Sequence, residues 1–158
     1  MSLRLRRVVT GHDEQGRAVV KIDEIANNVV SRRQGVSAAV IWSTDTIPAL
    51  NNRDEDAGQR PTGTTLRDGT VFRIAHYEPG VAPRRHRTDS VDYAVVLSGE
   101  IDMELDCQTV RLKTGDVLVQ RGTMHNWVNR GTEVAIVAFV LVAAEPVTIG
   151  DKTLHAEG

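Results

Sequence analysis

The chain has 158 residues, of which 25% are charged and 41% hydrophobic, and its formal net charge is −2. These values are typical of one globular domain that is long enough to bury a core. The net charge excludes the strongly basic surface that binding to nucleic acid or to an anionic membrane requires. No apolar run is long enough to cross a bilayer, and no apolar run follows the first basic residues, so we expect no secretion signal.

The chain contains one cysteine, Cys107. A lone cysteine excludes an intrachain disulfide and fits a reducing compartment. We therefore predict a cytoplasmic protein that binds neither nucleic acid nor membrane.

Short β-type runs, each ended by Gly, Pro or Asp, recur along the N-terminal part of the chain. Residues 7–10 and 18–21 predict a hairpin, residues 37–43 predict a strand, and residues 24–30 are a candidate for a short helical turn. Residues 51–69 are the most polar stretch and have no periodicity, which predicts a long surface loop. The alternative for this loop is a lid over a site.

From Thr70 onward the pattern of strands is regular. We predict strands at residues 70–77, 92–97, 101–105, 109–113, 116–121, 125–129 and 134–142, and an edge strand at residues 146–150. Short strands with regular turn spacing and no helical period indicate an antiparallel sandwich or barrel.

The residues that carry chemistry lie on two of these strand regions. Because the side chains of a strand alternate between faces, one face is predicted to hold His86, Thr88 and Asp92, and another to hold His125, Trp127 and Asn129. Two imidazoles and a carboxylate inside a barrel predict a divalent metal site of His86, Asp92 and His125. The alternative is a metal-free hydrogen-bonded network in which Asp92 orients an imidazole as a general base.

Other side chains near these strands are candidates for substrate contacts. Trp127 is either an aromatic wall for a planar substrate or a core residue. Arg73 is either an anchor for a substrate carboxylate or an outward-facing arginine. Three arginines flank His86 and would draw an anionic substrate to the mouth of the site: Arg84, Arg85 and Arg87.

Two blocks of fixed spacing contain these residues. In the first, five residues separate Gly80 from His86-Arg87-Thr88, three more precede Asp92, and six more precede Gly99. The second runs from Gly115 through Gln120-Arg121-Gly122 to His125 and Asn129. The two blocks resemble the two motifs of the cupin superfamily. Three positions depart from the family pattern, since Thr88 replaces a His, Asp92 replaces a Glu and Gln120 replaces a Pro.

The resemblance implies an all-β, jelly-roll barrel that forms a homodimer. Residues 70–150 would form the barrel core, residues 1–69 would be N-terminal strands and a loop packed on it in the same domain, and residues 151–158 would be a tail. Many cupins hold a metal on three His and one Glu. With one His missing here, Thr88 is better suited to bind a water or the substrate, and the predicted substrate contacts are Thr88, Trp127, Arg73, Gln120 and Asn129.

The predicted function is that of a metal-dependent enzyme with His86, Asp92 and His125 as its catalytic residues. The metal would be iron, manganese, nickel or zinc, and the substrate a small organic acid or phenolic compound. The chemistry would be of the dioxygenase, decarboxylase or isomerase type. The alternative is a metal-free protein that binds a small molecule without catalysis. The absence of a phosphate-binding Gly loop and of a nucleophile elbow disfavours nucleotide-dependent and serine-hydrolase chemistry.

Overall fold

A computed structural model describes residues 3–158, apart from the side chain of Arg32. The first two residues of the predicted N-terminal extension lie outside this range. The described residues form thirteen β-strands. Within the same range, no helix is long and apolar enough to span a membrane. The fold is all-β, which confirms the fold class predicted from the sequence.

The strands follow one another in short steps along the chain. They are β1 (Arg6–His12), β2 (Ala18–Ile25), β3 (Val30–Arg33), β4 (Val36–Thr44), β5 (Thr70–Tyr77), β6 (Ser90–Ser98), β7 (Glu100–Glu104), β8 (Thr109–Lys113), β9 (Val117–Arg121), β10 (Asn126–Val128), β11 (Ala135–Ala143), β12 (Val147–Ile149) and β13 (Lys152–Leu154).

Two antiparallel sheets form the barrel. One has six strands in the order β3-β4-β5-β11-β6-β9, and the other has three in the order β10-β7-β8. Buried apolar side chains of both sheets meet in a single cluster, to which the larger sheet contributes Val96, Val137 and Phe139 and the smaller sheet Ile101 and Met103. The core therefore lies between the sheets, and the burial of these side chains is the main term that holds them together.

Strand β6 shows how the sequence positions the site. Its burial alternates with period two, so Ser90 and Asp92 face the interior on the same side as the core residues Ala94 and Val96. The polar pair occupies the first half of the strand and the apolar pair the second half. One end of the barrel interior is consequently polar, while the rest is filled by the core.

The opposite face of β6 is apolar and exposed. Tyr93 is 50% exposed and Leu97 47%, and Val119 on the neighbouring strand β9 is 58% exposed. Such a face is where a second copy of the chain would pack. The homodimer stays a prediction.

The N-terminal segment contributes to the barrel in two ways. Strands β1 and β2 pair with each other as a separate hairpin, whereas β3 and β4 extend the six-stranded sheet next to β5. The helical turn considered at residues 24–30 is wrong, because β2 continues through Ile25 and β3 begins at Val30. The four residues between these strands form an irregular connection. At the other end of the chain, β12 and β13 form a small hairpin where one edge strand was predicted.

A buried arginine ties the N-terminal hairpin to the loop that follows β4. The Arg7 guanidinium donates to both carboxylate oxygens of Asp56, at 2.7 and 2.6 Å, and to Glu24 Oε1 at 2.6 Å. The Arg7 side chain is 1% exposed, whereas Asp56 and Glu24 are 31% and 38% exposed. The bidentate bond to Asp56 holds the pKa of that carboxyl below its usual range.

We expect Arg7→Met to lower the free energy of unfolding by about 2 kcal/mol, because the charged hydrogen bonds are lost while both carboxylates stay partly hydrated. Urea unfolding at pH 7 measures the change. The matched control is Arg6→Met, since the Arg6–Asp23 ion pair lies on the surface with both side chains well exposed. Equal effects of the two substitutions would contradict an anchoring role for Arg7.

Candidate functional site

The polar end of the barrel opens into a cavity of about 520 Å³. The barrel strands contribute its inner wall, and the N-terminal segment contributes its outer wall. The charged and aromatic residues of the wall are Arg33, Arg60, Arg73, Tyr77, Arg84, His86, Asp92, His125, Trp127 and Phe139. The volume is suited to one small organic molecule.

Two histidines face each other at this end of the barrel. The backbone N–H of each donates to the carbonyl oxygen of the other, at 2.9 Å in both directions, so His86 and His125 form an isolated antiparallel bridge. Their ring centroids lie 4.2 Å apart with an angle of 54° between the planes. The bridge joins the first sequence block to the second and brings the two imidazoles together.

The hydrogen bonds of the two rings determine which nitrogen carries the proton. Nδ1 of His86 lies 3.0 Å from the carbonyl oxygen of Arg84, and Nδ1 of His125 lies 2.9 Å from that of Thr123. A carbonyl oxygen only accepts, so the neutral tautomer with the hydrogen on Nδ1 is assigned to both rings. Each ring therefore has its basic lone pair on Nε2.

Both imidazoles are neutral at physiological pH. Burial lowers the pKa of His86 to about 4, and the neighbouring His125 and the positive charges of Arg84 and Arg73 add to this effect. Burial also lowers the pKa of His125, which the Asp92 carboxylate partly opposes. Desolvation thus keeps two bases in the form that accepts a proton.

Gln120 lies between the second imidazole and the carboxylate. It is opposite Asp92 in the β6–β9 register, and its Nε2 is 2.9 Å from Asp92 Oδ2 and 3.1 Å from His125 Nε2. The two amide hydrogens therefore have one acceptor each. The amide oxygen of Gln120 is buried without a hydrogen-bond partner.

The other oxygen of Asp92 is held by the hydroxyl of Ser90. Ser90 Oγ lies 2.5 Å from Asp92 Oδ1 and 2.8 Å from Thr88 Oγ1. Asp92 is 4% exposed, so both of its oxygens accept from neutral donors inside the barrel. These contacts form a hydrogen-bonded network from Thr88 to His125 that does not include the His86 ring, and Asp92 reaches the His125 imidazole only through Gln120.

The predicted metal ligands are not brought together as a set of three. The Gln120 amide group occupies the space between Asp92 and His125, and its hydrogens use the lone pairs that a metal would need from both. In the described part of the chain, no group of three or more His, Cys, Asp and Glu residues is arranged to hold a metal ion. Of the three predicted ligands, only Nε2 of His86 has no protein donor among the described contacts, which does not fit the predicted three-ligand site.

The remaining predicted contacts divide into two groups. Trp127 and Arg73 both line the cavity, and Trp127 is at the same time a member of the buried core cluster. Trp127 also packs edge-on against Phe139, with ring centroids 5.2 Å apart. Thr88 and Gln120 lie behind the cavity wall, where they support Asp92.

Asn129 has a structural position instead of a place on the cavity wall. It is 0% exposed, and its amide nitrogen donates to the carbonyl oxygens of Tyr77 and Glu133 while its amide oxygen accepts from the N–H of Gly131. Its hydrogen bonds are used to hold the turn after β10 against the end of β5. The sequence predicts that the Asn129 side chain contacts the substrate, but its hydrogen bonds are made to backbone groups of the turn and of Tyr77.

The three arginines that flank His86 have different surroundings in the structure. Arg84 lines the cavity, whereas Arg85 pairs with Asp106 and Arg87 pairs with Glu157. The last two are therefore bound to surface carboxylates. Sequence analysis did not identify Arg33 and Tyr77 as site residues, since neither lies in the two motif blocks.

The loop after β4 forms part of the cavity wall. Residues 58–64 line the cavity, and the segment is held by Asn28, whose Nδ2 donates to the Gly58 carbonyl at 2.7 Å. Ser43 Oγ donates to the carbonyl of Ala57 at 2.7 Å. This part of the loop is therefore a wall of the cavity, and its role as a lid stays a prediction.

Comparisons with known proteins agree with this architecture. The family description "Cupin domain" matches residues 73–142. The chain is 38% identical over 157 residues to phomopsin biosynthesis cluster protein C' of Diaporthe leptostromiformis. The aligned region covers 94% of this chain and 83% of that protein. It is 34% identical over 161 residues to the cupin-domain-containing oxidoreductase fogC of Aspergillus ruber, covering 96% and 79%.

A solved structure shows the same fold. An RmlC-like cupin from Shewanella frigidimarina superposes with a TM-score of 0.50 at 13% identity, covering 73% of this chain and 83% of that chain. At this identity the likeness concerns the fold alone. The family match and the two relatives show that the chain belongs to the cupin superfamily.

Proposed function

We propose that the protein is a cupin enzyme that moves a proton between neighbouring atoms of a small carbonyl compound, an isomerase-type reaction. The observation that carries this proposal is the pair of buried, neutral imidazoles that line one cavity, each with Nδ1 bound to a backbone carbonyl. An imidazole held in one tautomer beside a substrate cavity is suited to general acid–base catalysis.

His86 is the group that takes and returns the proton. Its Nε2 lone pair has no protein donor among the described contacts, whereas Nε2 of His125 already accepts from Gln120. His125 is a positioning residue, because its backbone and ring hold His86 in place. Asp92 and Gln120 in turn fix the ring of His125.

The reaction needs no external oxidant. A proton leaves the carbon next to a carbonyl group, and a proton is returned to the adjacent carbon or oxygen, so that one atom is oxidised as its neighbour is reduced. Relatives that are named cupin-domain-containing oxidoreductases and biosynthesis cluster proteins support an enzyme acting on a small biosynthetic compound. Internal oxidoreduction by proton transfer is compatible with both kinds of name.

The metal-dependent dioxygenase or decarboxylase predicted from the sequence is the alternative. The Nε2 atoms of His86 and His125 are the donors that iron, manganese, nickel or zinc would use. The third predicted ligand, Asp92, accepts from Gln120 and Ser90 instead. The isomerase-type reaction therefore agrees with the observed hydrogen bonds of Asp92, whereas the metal-dependent alternative requires them to change.

We expect the protein to exchange carbon-bound hydrogen for deuterium in a panel of small 2-oxo acids and 1,3-dicarbonyl compounds dissolved in D₂O. Proton NMR follows the loss of the signal at the carbon next to the carbonyl group. His86→Gln should lower the exchange rate by about a hundredfold, because the base is removed while the volume is kept. Thr114→Val, on an exposed turn, is the control. Exchange that persists in His86→Gln would exclude His86 as the base.

The neutral state of His86 predicts how stability depends on pH. The folded state binds its proton only near pH 4, whereas the unfolded imidazole does so near 6.5, so the unfolded chain binds more protons between these values. Stability should therefore be highest above pH 6.5 and fall as the pH is lowered toward 4, by about 1–3 kcal/mol from this group. Urea unfolding at several pH values measures it. In His86→Gln the dependence should be weaker, and an unchanged dependence would contradict the assignment.

Gln120 should determine whether a metal binds. We expect wild-type protein to hold much less than one metal ion per chain after incubation with iron, manganese, nickel or zinc, as measured by plasma mass spectrometry. Gln120→Ala should bind more, because Asp92 and His125 are released from the amide. Adding His125→Ala should remove that gain. One metal per wild-type chain that is lost in His125→Ala would favour the metal-dependent alternative over the isomerase proposal.

A further inference from the structure

Three guanidinium groups approach one part of the cavity. Arg33, Arg73 and Arg84 all line it, together with Tyr77. Burial raises the pKa of Tyr77, and the charges of these three arginines oppose that effect, so all three act on the same phenol. They come from the end of β3, from β5 and from the segment before His86, and only the folded chain brings them together.

Two of these three guanidinium groups form no ion pair with a carboxylate side chain of the described residues. Arg33 donates to the carbonyl of Ala82, and Arg84 Nη2 donates to the backbone oxygen of Gly158 at 3.1 Å. Across residues 3–158, neither guanidinium forms an ion pair with an Asp or Glu side chain. Burial lowers the pKa of Arg33, and the nearby charge of Arg84 lowers it further. Arg33 is partly buried and Arg84 is exposed, and two positive charges held close together favour an anionic partner.

Two other charged groups of the wall have protein partners. Arg60 pairs with Glu55 and Asp45. Asp92, the only carboxylate among the described residues of the wall, accepts from Ser90 and Gln120 and forms no ion pair with Arg33 or Arg84.

The remainder of the wall fits an apolar group. Trp127 and Phe139 are 4% and 5% exposed and meet edge to face, and Leu141 lies beside them on the wall. The imidazole of His125 contacts Trp127 with a centroid distance of 6.5 Å. The imidazole pair lines the same cavity as the arginines and this apolar wall.

We propose that Arg33 and Arg84, with the hydroxyl of Tyr77, bind the carboxylate of the substrate, and that the substrate is an aromatic or otherwise apolar carboxylic acid. The inference rests on the proposed function, since it names the substrate class of the same site. Arg84 is also close to the base, because its carbonyl holds Nδ1 of His86. A carboxylate bound there places the neighbouring carbon atoms beside Nε2 of His86.

The probe pair for this subsite is benzoate and benzamide, which have nearly the same shape and differ in charge. Isothermal titration calorimetry at fixed ionic strength should give a Kd for benzoate about tenfold or more below that for benzamide, as expected for charge-assisted hydrogen bonds. Arg33→Met and Arg84→Met should each remove most of this preference. Arg85→Met is the matched control, because Arg85 pairs with Asp106 outside the cavity.

Equal affinity for the two probes, failure of benzoate to bind, or a preference that survives in both variants would overturn the subsite. Thermal unfolding of each variant checks that the fold is kept, and Arg33→Lys, which keeps the charge, should retain part of the preference if Arg33→Met proves unstable. The outcome is separable from that of the proposed function. His86→Gln should keep benzoate binding while it loses deuterium exchange. If the protein catalyses deuterium exchange but does not prefer benzoate, the carboxylate subsite alone is wrong. If it prefers benzoate but catalyses no deuterium exchange, the catalytic proposal alone is wrong.

Discussion

The reciprocal backbone hydrogen bonds between His86 and His125 are the contact on which the candidate site depends. They join two segments that are 39 positions apart in the chain and set the distance between the two rings. Each ring is then fixed by a second bond, from Nδ1 to a carbonyl two residues earlier. Because the backbone itself orients both bases, little side-chain entropy is lost when a substrate binds beside them.

The electrostatics of the cavity follow from what surrounds this pair. Burial keeps the imidazoles neutral, and the carboxylate of Asp92 is satisfied by neutral donors instead of a metal or a charged partner. Gln120 connects the two parts of the network through one amide group. A single residue therefore lies between two of the three side chains that were predicted to hold a metal.

The N-terminal segment completes the cavity, and its attachment is electrostatic as well as apolar. Strands β3 and β4 lengthen the larger sheet, and the loop after β4 covers the open end of the barrel. Arg7 holds this loop through its ion pair with Asp56. The Arg7 side chain is buried, whereas Asp56 is partly exposed. The same segment supplies Arg33, so the part of the chain outside the two motifs contributes both the cover and a charge of the candidate anion subsite.

The sequence by itself determined the all-β fold, the positions of the barrel strands and the placement of His86, Asp92 and His125 on the wall of one cavity. Alternation along β6 and the spacing of Gly turns are local properties, and they can be read without knowing what each strand packs against. The tertiary structure alone decided the roles of the polar side chains. Whether Asp92 meets a metal or Gln120 depends on a partner 28 positions away, and whether Asn129 serves a ligand or a turn depends on one 52 positions away. Which arginines reach the cavity depends on carboxylates 21 and 70 positions away, which bind Arg85 and Arg87. No local pattern encodes such contacts, because they are set by strand pairing and by the competition of all nearby donors for the same acceptors.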